Sequence, residues 1–334
     1  MTPFLLLTVM NYPGWFITGG DEKKTVDVVC PADGHKFQAV EMLVTNNWGG
    51  RDYDGCNHAF KTTPLEYLVW VCPSCKFAGR KRDFGAALDE GTKKSLLAGL
   101  KPMEEIKRGA KQGEIPGHVK YDLMAQAAAL RGAPPAERAL AYMHAAWSCR
   151  QQGAVYFEDF DEWENLRKGY GLDVQPMNLK RNRTDFELEA VKKVEKDVEQ
   201  KKVFGPNKVL ARYLAAYLYR KHGENAEAER WLAELSNLKG ENSVVDAAAE
   251  KMKASIARER EFQKKAIEAY QAALEKEPDG SKVAPEFAYL LGELHRRTGD
   301  PKAASTFYQK AIDTTSSDAV RKLAQDQQSK LPKP

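Results

Sequence analysis

Five cysteines occur in the 334 residues, and four of them, Cys30, Cys56, Cys72 and Cys75, fall within one short N-terminal stretch. Zinc prefers thiolate and imidazole donors at tetrahedral angles, and a Cys-Pro-x-Cys turn presents two sulfurs from one tight loop. Cys72-Pro73-Ser74-Cys75 is such a knuckle. A complete site needs a second pair. Cys30-Pro31-Ala32-Asp33 repeats the pattern with a carboxylate in place of the second sulfur, and His35, Cys56 and His58 are also at hand. The expectation is one structural Zn2+ on Cys30, Cys72 and Cys75, with Cys56 as fourth ligand. His58 ranks next, then Asp33 and His35. A C-x-x-C pair beside histidines reads as metal binding rather than as a disulfide framework. Cys149 stands alone in a helical pattern and reads as a small core residue.

Other chemistries leave weaker traces. A thioredoxin-type redox pair needs C-x-x-C where a strand meets a helix inside a βαβ unit, and those surroundings are missing. No His-Glu-x-x-His, Gly-rich phosphate loop, G-x-S-x-G elbow or dinucleotide fingerprint occurs. Arg80-Lys81-Arg82 follows the knuckle, but three charges make a small phosphate footprint and read as a solvated turn. Lys plus Arg total 51 against 47 acidic residues, and an excess of four charges gives no strong drive towards nucleic acid or an anionic membrane.

The elements that must position these groups change character along the chain. Residues 25–83 carry strand signals: Val26, Val28 and Val29 lead into Cys30, and Tyr67 to Val71 lead into Cys72, with turns at Asn46-Asn47, Gly49-Gly50 and Asp54-Gly55. Few of these side chains could fill a large core, so a metal staple supplies the missing stability. From 84 to 205 the pattern is helical, with a polar segment over 86–113 and a helix entering at Pro134-Pro135. Thr184-x-x-Glu187 predicts a capping box before a stripe of Leu188, Val191, Val194 and Val198. Residues 206–330 repeat. Leu291-Gly292, Gly299-Asp300-Pro301, Ala304, Tyr308 and Ala311 fit a tetratricopeptide-like hairpin, in which small and large residues alternate so that two helices pack closely. Ala266, Tyr270 and Ala273 fill the second-helix places of the preceding repeat, and Ala216, Gly223, Ala228 and Leu232 mark the one before.

The predicted fold is mainly α, a tetratricopeptide-like helical-hairpin solenoid behind a small zinc-stapled β-rich N-terminal module. Residues 1–24 form an apolar N-terminal segment, read as a tail, a signal or an anchor. It is broken by Pro13-Gly14 and lacks a basic start. A cytoplasmic protein is expected, with export or envelope tethering through that segment as the alternative. Membrane contact is expected only there.

Cys30-Pro-x-x-Gly34-x-x-Phe37, then Arg51-Asp52-x-Asp54-x-Cys56, then Pro64-Leu65-x-Tyr67-x-Val69-Trp70-Val71-Cys72-Pro-x-Cys75 resemble a bacterial family of unknown function. In that family a CPxCG…CPxC zinc-knuckle segment is joined to tetratricopeptide-like helices, and the Ala145-Ala146-Trp147 helix is similar to the region after its knuckles. The chain departs from it at Asp33, where a second Cys is usual, and at Lys76, where Gly is common. The resemblance implies no activity. From the residues, the expected function is a non-catalytic scaffold whose helical stack holds a protein or peptide on its concave face. The alternative is a metal- or thiol-dependent enzyme using the incomplete Cys/Asp/His cluster.

Overall fold

The computed structural model describes residues 22–332 apart from 45, 47, 60–62, 105, 108, 158–159, 175–181, 206 and 279. The apolar segment 1–20 therefore lies outside the described residues. Among the described residues six strands pair as three antiparallel hairpins: β1 (Glu22–Val29) with β2 (Lys36–Val44), β3 (Gly50–Arg51) with β4 (Asn57–His58), and β5 (Trp70–Val71) with β6 (Ala78–Gly79). Twelve helices follow among the described residues. They begin with α1 (Lys81–Phe84), α2 (Glu90–Gly99), α3 (Gly117–Leu130) and α4 (Pro135–Gly153). Next come α5 (Asp161–Gly169), α6 (Arg183–Glu199), α7 (Asn207–Lys221) and α8 (Asn225–Ser236). The last are α9 (Ser243–Leu274), α10 (Ala284–Thr298), α11 (Pro301–Thr314) and α12 (Asp318–Ser329). None of the described helices is long and apolar enough to cross a membrane.

The chain forms two compact units that interleave in sequence. The first comprises Met1–Asn46, Lys61–Ser148 and Arg260–Pro334; the second comprises Asn47–Phe60 and Cys149–Glu259. In the first, Val26 pairs with Ala39 and Val28 with Phe37 across β1–β2. Val28, Ala39, Trp70, Phe77, Phe84 and Leu96 share one small core. Phe84 meets the rings of both Phe37 and Phe77 edge-on. The short strand β5 is completed by a side chain: Gln112 accepts from the Val71 N–H at 2.9 Å and donates to the Val71 carbonyl at 2.7 Å. Tyr67, Leu68 and Val69 do not join a strand. A 3-10 turn at Pro64–Glu66 occupies the approach instead.

The same unit holds the α10–α11 hairpin. Gly299 closes α10 at φ +85° and Asp300 accepts from the Ala303 N–H at 2.9 Å, with Pro301 in the first turn of α11. A left-handed stop and a side-chain cap thus make the hairpin turn that Gly299-Asp300-Pro301 marks in the sequence. A Cβ on Gly292 would fall 2.5 Å from Cδ1 of Tyr308, so glycine is what lets the two helices approach with a tyrosine between them.

The second unit buries Trp163, Val191, Val194, Tyr213, Leu214 and Trp231 in its own core, and α7 and α8 form a further hairpin with Gly223 at φ +72°. Three expectations change here and upstream. Ala266, Tyr270 and Ala273 lie in one unbroken helix, α9, so the middle repeat has no turn of its own. Among the described residues of the polar segment 86–113, helix is confined to α2 and the start of a 3-10 turn at Gln112–Glu114. Asn182, not Thr184, caps α6, accepting from the Thr184 N–H at 3.3 Å. Thr184 and Glu187 face inwards instead, where both bind buried charged groups.

Candidate metal centre

Two turns of the same construction stand in the first unit. In one, Gly34 N–H donates to the Cys30 carbonyl and Cys30 N–H to the His35 carbonyl, both at 2.9 Å. In the other, Lys76 N–H donates to the Cys72 carbonyl at 3.0 Å and Cys72 N–H to the Phe77 carbonyl at 2.8 Å. Both turns need a left-handed residue, Gly34 at φ +73° and Lys76 at φ +69°. A lysine there is strained by about 1–2 kcal/mol. Its ammonium offsets part of that cost by donating to the carbonyls of Pro73 at 2.6 Å and Ile106 at 3.3 Å.

These turns bring together Cys30, Asp33, Cys72 and Cys75, whose donor atoms all lie within 4.8 Å of one another. Cys30 and Cys75 stand 3.6 Å apart through Sγ, and neither is in a disulfide. Cys72 Sγ is 3.7 Å from both oxygens of Asp33. Two sulfurs at about 2.3 Å from a tetrahedral zinc are about 3.8 Å apart, so three thiolates and a carboxylate fit the ion. Cys30 and Cys72 are buried, Cys75 is half-buried and Asp33 is exposed. The fourth corner therefore faces water.

Electrostatics explain what an ion would do here. Hydrogen bonds from the Cys30 and Cys75 thiols pull the Cys72 thiol down to about 3. The same bonds push Cys30 up to about 12 and raise Cys75 also. Burial pushes the Asp33 carboxyl up, but the His35 N–H and the Ser74 hydroxyl hold it below the ordinary carboxylate range. Thiols raised in this way must lose their protons when the ion enters. Zinc affinity at this site should rise steeply with pH up to the alkaline range. About two protons should be released per zinc bound at pH 7, in proportion to the two raised thiols. Calorimetry in buffers of different ionisation enthalpy measures this, and release of no protons would contradict the thiol assignment.

Of the sequence candidates, Cys30, Cys72, Cys75 and Asp33 come together; His35 does not belong to the group and stacks near Phe37 at 6.5 Å between ring centroids. Cys56 and His58 belong to a different group, with Asp52, in the second unit. Here β3, the Asp54-Gly55 turn and β4 fold residues 50–58 into a tight hairpin, in which Asp52 N–H donates to the Cys56 carbonyl at 2.8 Å. Around it lies a buried charged network that composition and motifs had not revealed. Arg150 donates to Asp52 at 2.9 Å, to Asp54 at 2.6 Å and to Glu259 at 2.8 Å, and Arg220 also donates to Glu259. The ring nitrogens of His222 reach Asp52 and Glu187, each at 2.8 Å. Burial opposes a charge on His222, but those two carboxylates raise its pKa. Burial also works against ionised Asp52, yet His58 and His222 hold it well below the usual range. His58 is itself lowered, mainly by burial, against the pull of Asp52.

The profile of a family described as an uncharacterized protein conserved in bacteria matches residues 23–256 and 251–331. No curated protein and no solved structure is significantly similar to the chain.

Proposed function

We propose, for a chain that belongs to the uncharacterised bacterial family DUF2225, a non-catalytic binding role in which one zinc ion staples the N-terminal turns and helical hairpins receive a protein or peptide. The gathered donor set of Cys30, Asp33, Cys72 and Cys75 carries the first half of this reading. Four protein donors fill a tetrahedron, which is the arrangement of structural rather than catalytic zinc. Binding by the hairpins is supported by their construction. The α7–α8 and α10–α11 pairs each turn through a left-handed glycine, and Ala228, Ala304 and Tyr308 are buried, as small and large residues alternating in such hairpins would be. Helical hairpins, the building blocks of tetratricopeptide-like repeats, offer paired helix faces to a peptide.

Elemental analysis of the full chain and of a C72S/C75S variant tests the staple. The variant is expected to carry one equivalent less zinc than its parent. Equal metal content in the two proteins removes the structural site and the reading built on it.

A further inference from the structure

We infer that Asp52, Cys56 and His58 form a second, independent site for a divalent transition ion, zinc or its surrogate cobalt, inside the second unit. Their donor atoms lie within 4.8 Å of one another and all three residues are buried. The set combines one thiolate, one imidazole and one carboxylate. Calcium and magnesium prefer oxygen donors throughout, so the sulfur and nitrogen select a borderline ion such as zinc. The hairpin is built to present them. Gly55, at φ +90°, turns the chain between β3 and β4, and Asp54 accepts from the Cys56 N–H at 3.2 Å. Cys56 and His58 are thereby fixed two residues apart, opposite Asp52.

The surroundings have the form that second-layer groups take around a bound ion. Arg150 and Thr184 donate to Asp52 at 2.9 Å and 3.3 Å, and Gln151 Nε2 points at Cys56 Sγ from 3.6 Å while donating to the Asn57 carbonyl at 3.0 Å. Hydrogen bonds to ligating carboxylates and sulfurs orient them and hold their charge. His58 Nε2 and Asp52 Oδ2 are 2.8 Å apart, bridged by one hydrogen. The ion takes the place of that hydrogen, the ring proton moves to Nδ1, and the Cys56 thiol proton leaves to solvent. Three protein donors leave one coordination place for a small ligand such as water.

Zinc is counted in the full chain after loading and removal of excess, and in C72S/C75S and C56S/H58N variants. Two equivalents in the parent and one in each variant support the second site. A parent with one equivalent that C72S/C75S keeps and C56S/H58N loses also supports it, while sinking the staple proposed above. A parent with one equivalent that only C72S/C75S loses overturns the inference. Should a variant fail to fold, cobalt(II) titrated into stripped parent decides. Thiolate-to-cobalt absorption that saturates at two equivalents supports the site, and saturation at one equivalent, unchanged in a C56S variant, overturns it.

Discussion

Stripping zinc from the full chain should unfold its N-terminal turns and lower the thermal midpoint measured with excess zinc by many degrees. Structural zinc contributes on the order of 10–16 kcal/mol of apparent free energy at neutral pH, and that energy is folding energy where no site pre-exists in the unfolded chain. The core beside the knuckles is small, resting on residues such as Val28, Trp70, Phe77 and Phe84. Both knuckles also hold a left-handed residue. Trp70 is only 5% exposed, and its indole donates to the Val40 carbonyl at 3.1 Å, so its environment reports the change directly. A chelated sample that melts at the same temperature as a zinc-saturated one, with an unchanged near-ultraviolet spectrum, rules the staple out.

Replacing Arg150 by methionine should cost the second unit about 3–5 kcal/mol, because removal of one partner leaves buried charges facing one another without their shared cation. The guanidinium is fully buried and serves Asp52, Asp54 and Glu259 at once. Arg150→Lys keeps the charge but lacks the planar fork that reaches three carboxylates, so it should fall between the parent and the methionine variant. Urea unfolding gives the comparison: a lower midpoint with an unchanged slope is the expected signature. A loss below about 1 kcal/mol would mean that the network contributes little net stability.

The knuckle at Cys72–Cys75 and the turn at Gly299-Asp300-Pro301 were readable because each is decided by neighbours in sequence. A proline, a glycine and a capping carboxylate act within a few residues. The choice of Asp33 over Cys56 was not readable from donor preference alone. Thiolate outranks carboxylate for zinc, yet the matching turn geometry at Cys30-Pro31-Ala32-Asp33 brings Asp33, and not Cys56, beside the other three. The parallel between Cys-Pro-x-Asp and Cys-Pro-x-Cys was the available signal. Thr184 and Glu187 were misread as a cap for a related reason: their spacing fits the local motif, but their partners Asp52 and His222 are remote in the chain. His222 and Arg220 sit at the end of an otherwise apolar helix face, and Arg150 follows Trp147 and Cys149 in the same way. A charge that interrupts a buried stripe is the trace such a network leaves in a sequence. It names the position and leaves the partner unknown.

The interleaving of the two units has a consequence for how the chain is made. Residues 47–60 are translated early but cannot complete their unit until residues 149–259 have emerged, and Met1–Asn46 belongs with helices that come after Glu259. The β3–β4 hairpin, with its buried acids and thiol, must therefore wait on the ribosome for Arg150, His222 and Glu259. Closure over such sequence separations carries a loop-entropy cost and is slow. During that interval Cys56, buried in the finished unit, is open to oxidation or to chaperones, whereas Cys30, Asp33, Cys72 and Cys75 are all available to one another as soon as residue 75 has emerged.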